Sequence, residues 1–499
     1  RSYSTVIIPP LVENIEKHTF DLLADFAKQG GKIISFSVPE RLSGELDGSV
    51  SEFFKSDNSS IVLLNQLEEK VIRHYFNNSE IQFTDIKGGN LFHQRRKYKD
   101  GQLLFLVNSA MKEPTNGMIK AKGKSVVEMD AFTGDLKSYP FAAKNEELSI
   151  NFNLPPSGSL LLFISNKKIK EYESDNEYIN AQIIREESPL EIFPLQENAM
   201  KVDFCDLMIK GKEYKNIYFS KAADIAFNEY GFEGNPWNHS IQYKRQIVER
   251  DTFQSGGFTV KYYFEIKGDI SNNNMKVCVE RPEIFEVKIN GTKVSPIPDK
   301  WFLDKSFPLY DISQWVKPGK NIVEATVEPM SVFAEIEPIY IIGNFTVLPA
   351  NTGWMIDMKK PLLELGSWKK QGFPFYSWAV GYKKNYQIED IQKSYKIALP
   401  QWNGTVCEVI VNDKKAGIIG FEPFELDISD FIKQGENAIE IQVIGSLKNL
   451  LGPHFNHPDP GLASPWHWRN VEHDIPGNEY QMMDYGLFED FKLISYDKR

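Results

Sequence analysis

The amino-acid sequence predicts a mainly β, multi-domain protein. It reads as a small parallel α/β unit (residues 1–85), an antiparallel β-domain (86–195) and two β-sandwich jelly rolls (196–347 and 348–499). Three observations predict this. One strand-and-corner pattern occurs twice, at domain scale, in the second half. Strand–helix–strand periodicity is confined to the first ~80 residues. Between these regions, alternating strands are separated by short turn signals.

The first unit is flavodoxin-like in its order of elements. Residues 3–8 read as a buried strand stopped by Pro9-Pro10, and residues 13–29 as an amphipathic helix. The apolar face of that helix is expected from Ile15, Phe20, Leu22, Leu23 and Phe26. Gly30-Gly31 follows the helix, so the pair reads as a helix stop and not as a phosphate loop. Residues 32–38 and 61–64 read as further strands, and residues 67–76 as a second helix. From about residue 81 the period changes. Leu91–Tyr98 and Gln102–Asn108 flank an Asp100-Gly101 turn, and strands at 125–130, 148–154 and 159–165 continue the antiparallel pattern.

The repeat has a direct physical reading. Val287 and Ile289, like Val409 and Val411, alternate with polar residues as half-buried strands do. Asn290-Gly291 and Asn412-Asp413 are hairpin pairs that tolerate positive φ. Asp311-Ile-Ser313 and Asp427-Ile-Ser429 are suited to cap a short helical turn. Trp315, Val316, Phe431 and Ile432 are expected to pack that turn inward. Gly319 and Gly435 end it, and Asn321 and Asn437 close the corner before a long alternating strand. A capped corner followed by a long strand is a β-sandwich arrangement.

Composition narrows the function. The chain has 499 residues and a net charge of −11, with no basic stripe, which argues against a nucleic-acid partner. No apolar run approaches the ~20 residues of a membrane span. Cys205, Cys278 and Cys407 are widely spaced and show no metal pattern; the latter two fall in strand patterns, as buried thiols do. The chain opens on Arg1-Ser-Tyr-Ser with neither an initiator Met nor a signal peptide, which reads as a mature or truncated piece of a longer protein.

The repeated pattern resembles the galactose-binding-like jelly roll of family 2-type glycoside hydrolases. The order of parts extends the resemblance. Val6-Ile-Ile-Pro-Pro10 and Gly30-Gly-Lys-Ile-Ile34 are followed by His93-Gln-Arg-Arg96, then by the two sandwiches, then by Ser446-Leu-Lys-Asn-Leu-Leu-Gly-Pro-His454. Together these resemble the C-terminal portion of large bacterial glycoside hydrolases similar to family 106 α-L-rhamnosidases. The resemblance implies an accessory half whose catalytic barrel lies N-terminal in the same polypeptide. It also implies carbohydrate as the partner, plant-type glycans as substrates and a secreted or periplasmic location. A barrel needs about 250 residues of alternating strand and helix, so no catalytic residue is carried onto this chain. A free-standing carbohydrate-binding protein and a self-sufficient hydrolase are the alternatives.

The densest chemical cluster runs from His454 to Asp474 and includes His457, Trp466, His467, Trp468, Arg469 and His473. Sugar recognition sets an aromatic face against ring C–H groups and planar polar groups against hydroxyls. His454, Trp466, His467, Trp468 and Arg469 are residues of those types. The structural alternative is a long aromatic loop packed on its own domain or on the barrel that the resemblance implies. A zinc site drawn from His454, His457 and His467 would have to cross Pro458 and Pro460, and no His-Glu-x-x-His is present. Trp237 and Trp378, in matched entry stretches, could line a groove or merely cover a sheet edge. His93, Arg95 and Arg96 could reach a substrate cleft, or serve as a solvated strand face or an interdomain salt bridge. No cofactor is required. Asp304, Asp311, Asp427, Asp430 and Glu489 could hold a structural Ca²⁺, though no loop has dense alternating acids.

Overall fold

The structure is a computed structural model that describes residues 3–64, 80–145, 147–170, 172, 179–238, 247–251, 253–359, 362–455, 467 and 479–497. The chain forms two compact units. One contains residues 1–106, 114–154 and 160–171; the other contains 107–113, 155–159 and 172–499.

The first unit begins with a three-stranded parallel sheet in which Lys32–Ser35 lies between Thr5–Ile8 and Ile61–Leu63. The helix Lys17–Lys28 buries Leu23 and Ala27 against Ile33. Two expectations change here. The helix starts at Lys17, because Asn14–Ile15 forms a short strand on Arg41–Leu42. Leu22 is 57% exposed, so the buried stripe runs through Leu23 instead. A second helix, Gly48–Lys55, was not anticipated; the Asp47 side chain caps it by accepting from the Ser49 N–H at 2.9 Å. The helix expected at 67–76 lies outside the described residues.

The antiparallel part forms two sheets around Leu104, Leu106, Ile119, Ile150, Leu162 and Ile164. The hairpin of Leu91–Lys97 and Gly101–Asn108 turns where expected. On its first strand, the His93 ring lies 4.7 Å from that of Phe83. Arg95 donates to the Gln102 side chain at 2.7 Å and pairs with Glu80, as does Lys97. These groups are thus engaged within their own domain.

The second unit holds two sandwiches of matched topology. In the first, a sheet ordered Asn198–Val202, Ile339–Gly343, Lys276–Cys278, Leu309–Asp311 faces a larger sheet built on Phe258–Lys267 and Gly319–Val327. In the second, Ile179–Ile184, Lys492–Asp497, Ser394–Ala398, Glu425–Asp427 faces a sheet built on Ala379–Ile388 and Gly435–Ile444. The central pairs run in register from Phe258 opposite Val327 to Ile266 opposite Gly319, and from Ala379 opposite Ile444 to Ile388 opposite Gly435. Alternate residues on these strands point inward, as the period-2 pattern requires.

The segment boundaries differ from the sequence reading. Ile179–Ile184 and Glu191–Pro194 precede the first sandwich in sequence but pair with Lys492–Asp497 and Ala379–Ile388 of the second. The first sandwich is therefore inserted between strands of the second. The hairpin of Thr346–Pro349 and Trp354–Asp357 likewise stays with the first, where Ile356 pairs with Ile266. Phe375, Leu450 and Phe455 of the second sandwich are buried in the core of the first, so the two share packing.

The repeated corner is built twice from the same bonds. Asn290 and Gly291, like Asn412 and Asp413, all have positive φ. The Asn290 amide donates to Asn321 Oδ1 at 2.9 Å, and the Asn412 amide donates to Asn437 Oδ1 at 2.9 Å. Asn321 donates to the Lys317 and Gly319 carbonyls; Asn437 donates to those of Lys433 and Gly435. Asn321 and Asn437 are both fully buried. Asp311 and Asp427 accept from the N–H of Ser313 and Ser429, which caps the turn. The inward anchors are Ile312 and Ile428, both 0% exposed, together with Val316. Trp315 is 36% exposed, and Phe431 and Ile432 are only half-buried, because the tight turn aims the Asp-Ile-Ser isoleucine at the core. Replacing Asn437 or Asn321 with alanine is expected to destabilise the unit by about 2–4 kcal/mol, since several buried polar groups lose partners at once. Chemical denaturation checks this; a loss under about 0.5 kcal/mol would show the network to be dispensable.

Candidate functional site at the seam between the sandwiches

The strand Asn198–Val202 is buried along its whole length, yet it carries a lysine. Lys201 and, just past the strand, Asp203 project from it into the seam with the second sandwich. The Lys201 amine donates to the Leu451 carbonyl at 3.0 Å, at the end of the short helix Lys448–Leu451. Asp203 Oδ1 accepts from the Tyr480 hydroxyl at 2.6 Å, and Asp203 Oδ2 is buried without a partner among the described residues. Burial pushes the Asp203 carboxyl up and the Lys201 amine down; each group partly offsets the shift of the other.

His454 stands beside this pair. It is 1% exposed, and among the described residues neither ring nitrogen has a partner in good hydrogen-bond geometry, although the Leu450 and Gln481 backbones lie close enough to favour the protonated ring weakly. Its ring packs against Tyr480 (5.0 Å) and Phe375 (5.8 Å). Burial holds its pKa well below the ordinary value, and the cations of Lys201 and Lys448 push it the same way. Lys448 is itself lowered to about 8, by burial and then by Lys201. Its amine donates to the Pro453 and Gln481 carbonyls.

Trp354 forms the wall above this cluster. Its ring meets Phe375 at 5.4 Å and Tyr480 at 5.6 Å, both edge-on. A cleft of about 400 Å³ opens on one side of it, lined by Trp354, Tyr480, Met482, Lys369, Lys370 and Gly372 among others. A smaller one of about 110 Å³ is lined by Trp354, Asp203, Asp206, Asn216, Tyr263 and Thr352 among others. Gly372 needs to be glycine. Its φ is +88°, and a Cβ there would lie 2.6 Å from Thr346 Cβ. Its carbonyl accepts from the buried Asn198 amide at 2.9 Å, which ties the two sandwiches at the cleft.

The residues singled out from the sequence fall in separate places. His454 lies inside the seam, not on a loop surface. Trp378 is half-buried and packs on Phe302 (5.3 Å) and Tyr376 (5.6 Å). Trp237 is half-buried in the first sandwich, where its indole N–H donates to the Val332 carbonyl at 2.7 Å and its ring packs on Phe333. His467 is partly buried. Trp466, Trp468, Arg469, His457 and His473 lie outside the described residues. Among the described residues no group of three or more His, Cys, Asp or Glu is placed to hold a metal. Asp304, like Asp311 and Asp427, accepts from the N–H of the serine two residues on. The three cysteines are buried thiols. No helix among the described residues is long and apolar enough to cross a membrane.

Trp354, Tyr480, Lys369 and the Lys201–Asp203 pair were not singled out from the sequence. One local signal was available: Lys201-Val-Asp203 sets opposite charges two apart at the end of an otherwise buried strand.

No family model matches the chain. A putative β-glucuronidase from Formosa agariphila is 28% identical over 153 residues, covering 28% of this chain and 13% of that protein. A β-galactosidase from Thermoanaerobacter pseudethanolicus is 36% identical over 81 residues, covering 15% of this chain and 10% of that protein. Among solved structures, a rhamnosidase from Novosphingobium sp. PP1Y aligns with a TM-score of 0.43 and 12% identity, over 99% of this chain and 33% of that one. A β-D-glucuronidase from Dictyoglomus thermophilum aligns with a TM-score of 0.21 and 14% identity, over 50% of this chain and 39% of that one. The matched segments thus span only a small part of the curated relatives, and those relatives are glycoside hydrolases.

Proposed function

We propose that this chain is the accessory, non-catalytic portion of a glycoside hydrolase similar to α-L-rhamnosidases. It braces a catalytic barrel carried elsewhere in the same polypeptide and offers carbohydrate a contact surface. The observation that carries this reading is the tandem of matched sandwiches, one inserted in the other and sharing a core. That construction makes a rigid platform with an aromatic, polar-rimmed seam. The segment similarity to a β-glucuronidase and a β-galactosidase supports the same class. On this reading the parent protein is secreted or periplasmic and acts on plant-type polysaccharide or oligosaccharide.

The test is an assay of the chain against aryl α-L-rhamnosides, β-glucuronides and β-galactosides. It is paired with the product of the longer reading frame upstream of the Arg1 codon. The expected result is turnover by the longer protein only. Turnover by this chain alone, abolished by replacing a single carboxylate, would overturn the proposal.

A further inference from the structure

The cleft beside Trp354 has a chemical character that the accessory reading leaves open. We infer that it binds an acidic, uronate-bearing glycan, with the sugar ring against the Trp354–Tyr480 corner and the carboxylate toward Lys369 and Lys370. This rests on the reading of the chain as a carbohydrate-contacting module.

Three features of the cleft point to this ligand. The first is shape. Trp354 and Tyr480 meet at 70° with centroids 5.6 Å apart, so together they form a corner rather than a flat stack. Trp354 also lines the smaller cleft, so both share this aromatic side chain. With about 400 Å³ of space, the larger cleft admits a saccharide unit.

The second is charge. The protein carries a net −11, yet the described residues lining this cleft include two lysines and no carboxylate. Asp484 stands beside them, its side chain 43% exposed. It pairs with the Lys369 amine at 3.0 Å and accepts from Ser367 at 2.6 Å. Lys369 also donates to the Met482 carbonyl at 3.0 Å. Those bonds fix the Lys369 amine in place, and Lys370, which is exposed, adds a second cation. Two lysines against one carboxylate leave a net positive charge at this cleft in a protein whose net charge is −11. Such a local field focuses an anionic ligand.

The third is rigidity. Gly372, at the base of the cleft, is held by the buried Asn198 amide, and Trp354 is wedged on Phe375. Phe375 is itself fully buried. The lining is therefore set before ligand arrives, which lowers the ordering cost of binding.

The experiment is isothermal titration of the whole chain with oligogalacturonate, oligoglucuronate and alginate oligosaccharides, each beside its carboxyl-reduced counterpart. The expected result is binding to at least one acidic oligosaccharide, about tenfold weaker for the reduced form, as loss of a charge-assisted contact gives. Added salt weakens it. Lys370→Glu, on the surface, is expected to reduce affinity about tenfold, and Trp354→Ala at least as much, with thermal unfolding used to show that each variant folds. Equal binding of acidic and reduced forms would overturn the uronate assignment while leaving carbohydrate contact standing. Binding indifferent to both substitutions would overturn the cleft as the site. No binding of any oligosaccharide would overturn the inference and the carbohydrate-contact reading together.

Discussion

Replacing Asp203 with alanine is expected to destabilise the tandem-sandwich unit by about 3–5 kcal/mol, the cost of breaking a buried charged pair. Asp203 and Lys201 are both buried at the seam, and the Asp203 charge is the foremost group supporting a protonated Lys201, ahead of Glu337. Without it the ammonium in this low-dielectric site keeps the Leu451 carbonyl, the face of Phe219 and the weaker field of Glu337, but loses its foremost counter-charge. The Tyr480 hydroxyl loses its 2.6 Å acceptor in the same step. The effect therefore reaches across the seam, because Tyr480 belongs to the second sandwich and Asp203 to the first. Replacing both charges together, as Lys201→Met with Asp203→Leu, is expected to recover most of the loss, since apolar side chains of similar volume often match a buried pair. Urea denaturation of the single and double variants measures this. A single variant within about 1 kcal/mol of the parent would mean that water reaches the pair and screens it.

The seam also shows what a sequence can and cannot reveal. The corner motif was legible because it is local. The Asn-Gly and Asn-Asp turns, the Asp-Ile-Ser caps and the alternating strands all act within about 40 residues, and each folded as its pattern implies. The exception is instructive: Trp315, Val316, Phe431 and Ile432 are expected to pack the turn inward, but only Val316 is buried, and turn geometry gives the core position to Ile312 and Ile428. Strand pairing over long separations was not legible. Nothing in Ile179–Ile184 or Glu191–Pro194 says that they pair with residues near 494 and 382, because a strand's period fixes its faces and not its neighbour. The site fails for the same reason. Trp354 and Tyr480 share a corner through the meeting of two domains, and neither lies in a motif that announces the other. The sequence drew attention instead to the density of aromatic and histidine residues after 454. Of these, the structure sets His454 inside the protein, where it supports the seam.

That position makes His454 the point at which acid should loosen the seam. In an unfolded chain the imidazole titrates near 6.5. In the folded protein its pKa lies well below that, chiefly from burial and then from Lys201 and Lys448. Above pH 6.5 the ring is neutral in both states, and its contribution is fully present. Below pH 6.5 the unfolded chain takes up a proton that the folded protein resists. Stability then falls with pH, by up to about 1.4 kcal/mol per pH unit until the folded pKa is reached. The Asp203 carboxyl acts the other way. Its pKa is raised by burial, so the folded state protonates first and falling pH favours it down to the unfolded value of 3.8. Among the described residues, Lys448, Lys201 and the Tyr480 hydroxyl are the other titratable groups near the ring, and their ordinary ranges lie at higher pH. A stability curve of the parent protein alone mixes the histidine with the aspartate. The difference between the parent and His454→Leu removes Asp203 to first order, because both proteins carry it. That difference is expected to move by about 2 kcal/mol in favour of the leucine variant between pH 7.5 and pH 5. If it stays flat, the folded protein protonates His454 as easily as the unfolded chain does, and burial of the ring cannot be what couples the seam to pH.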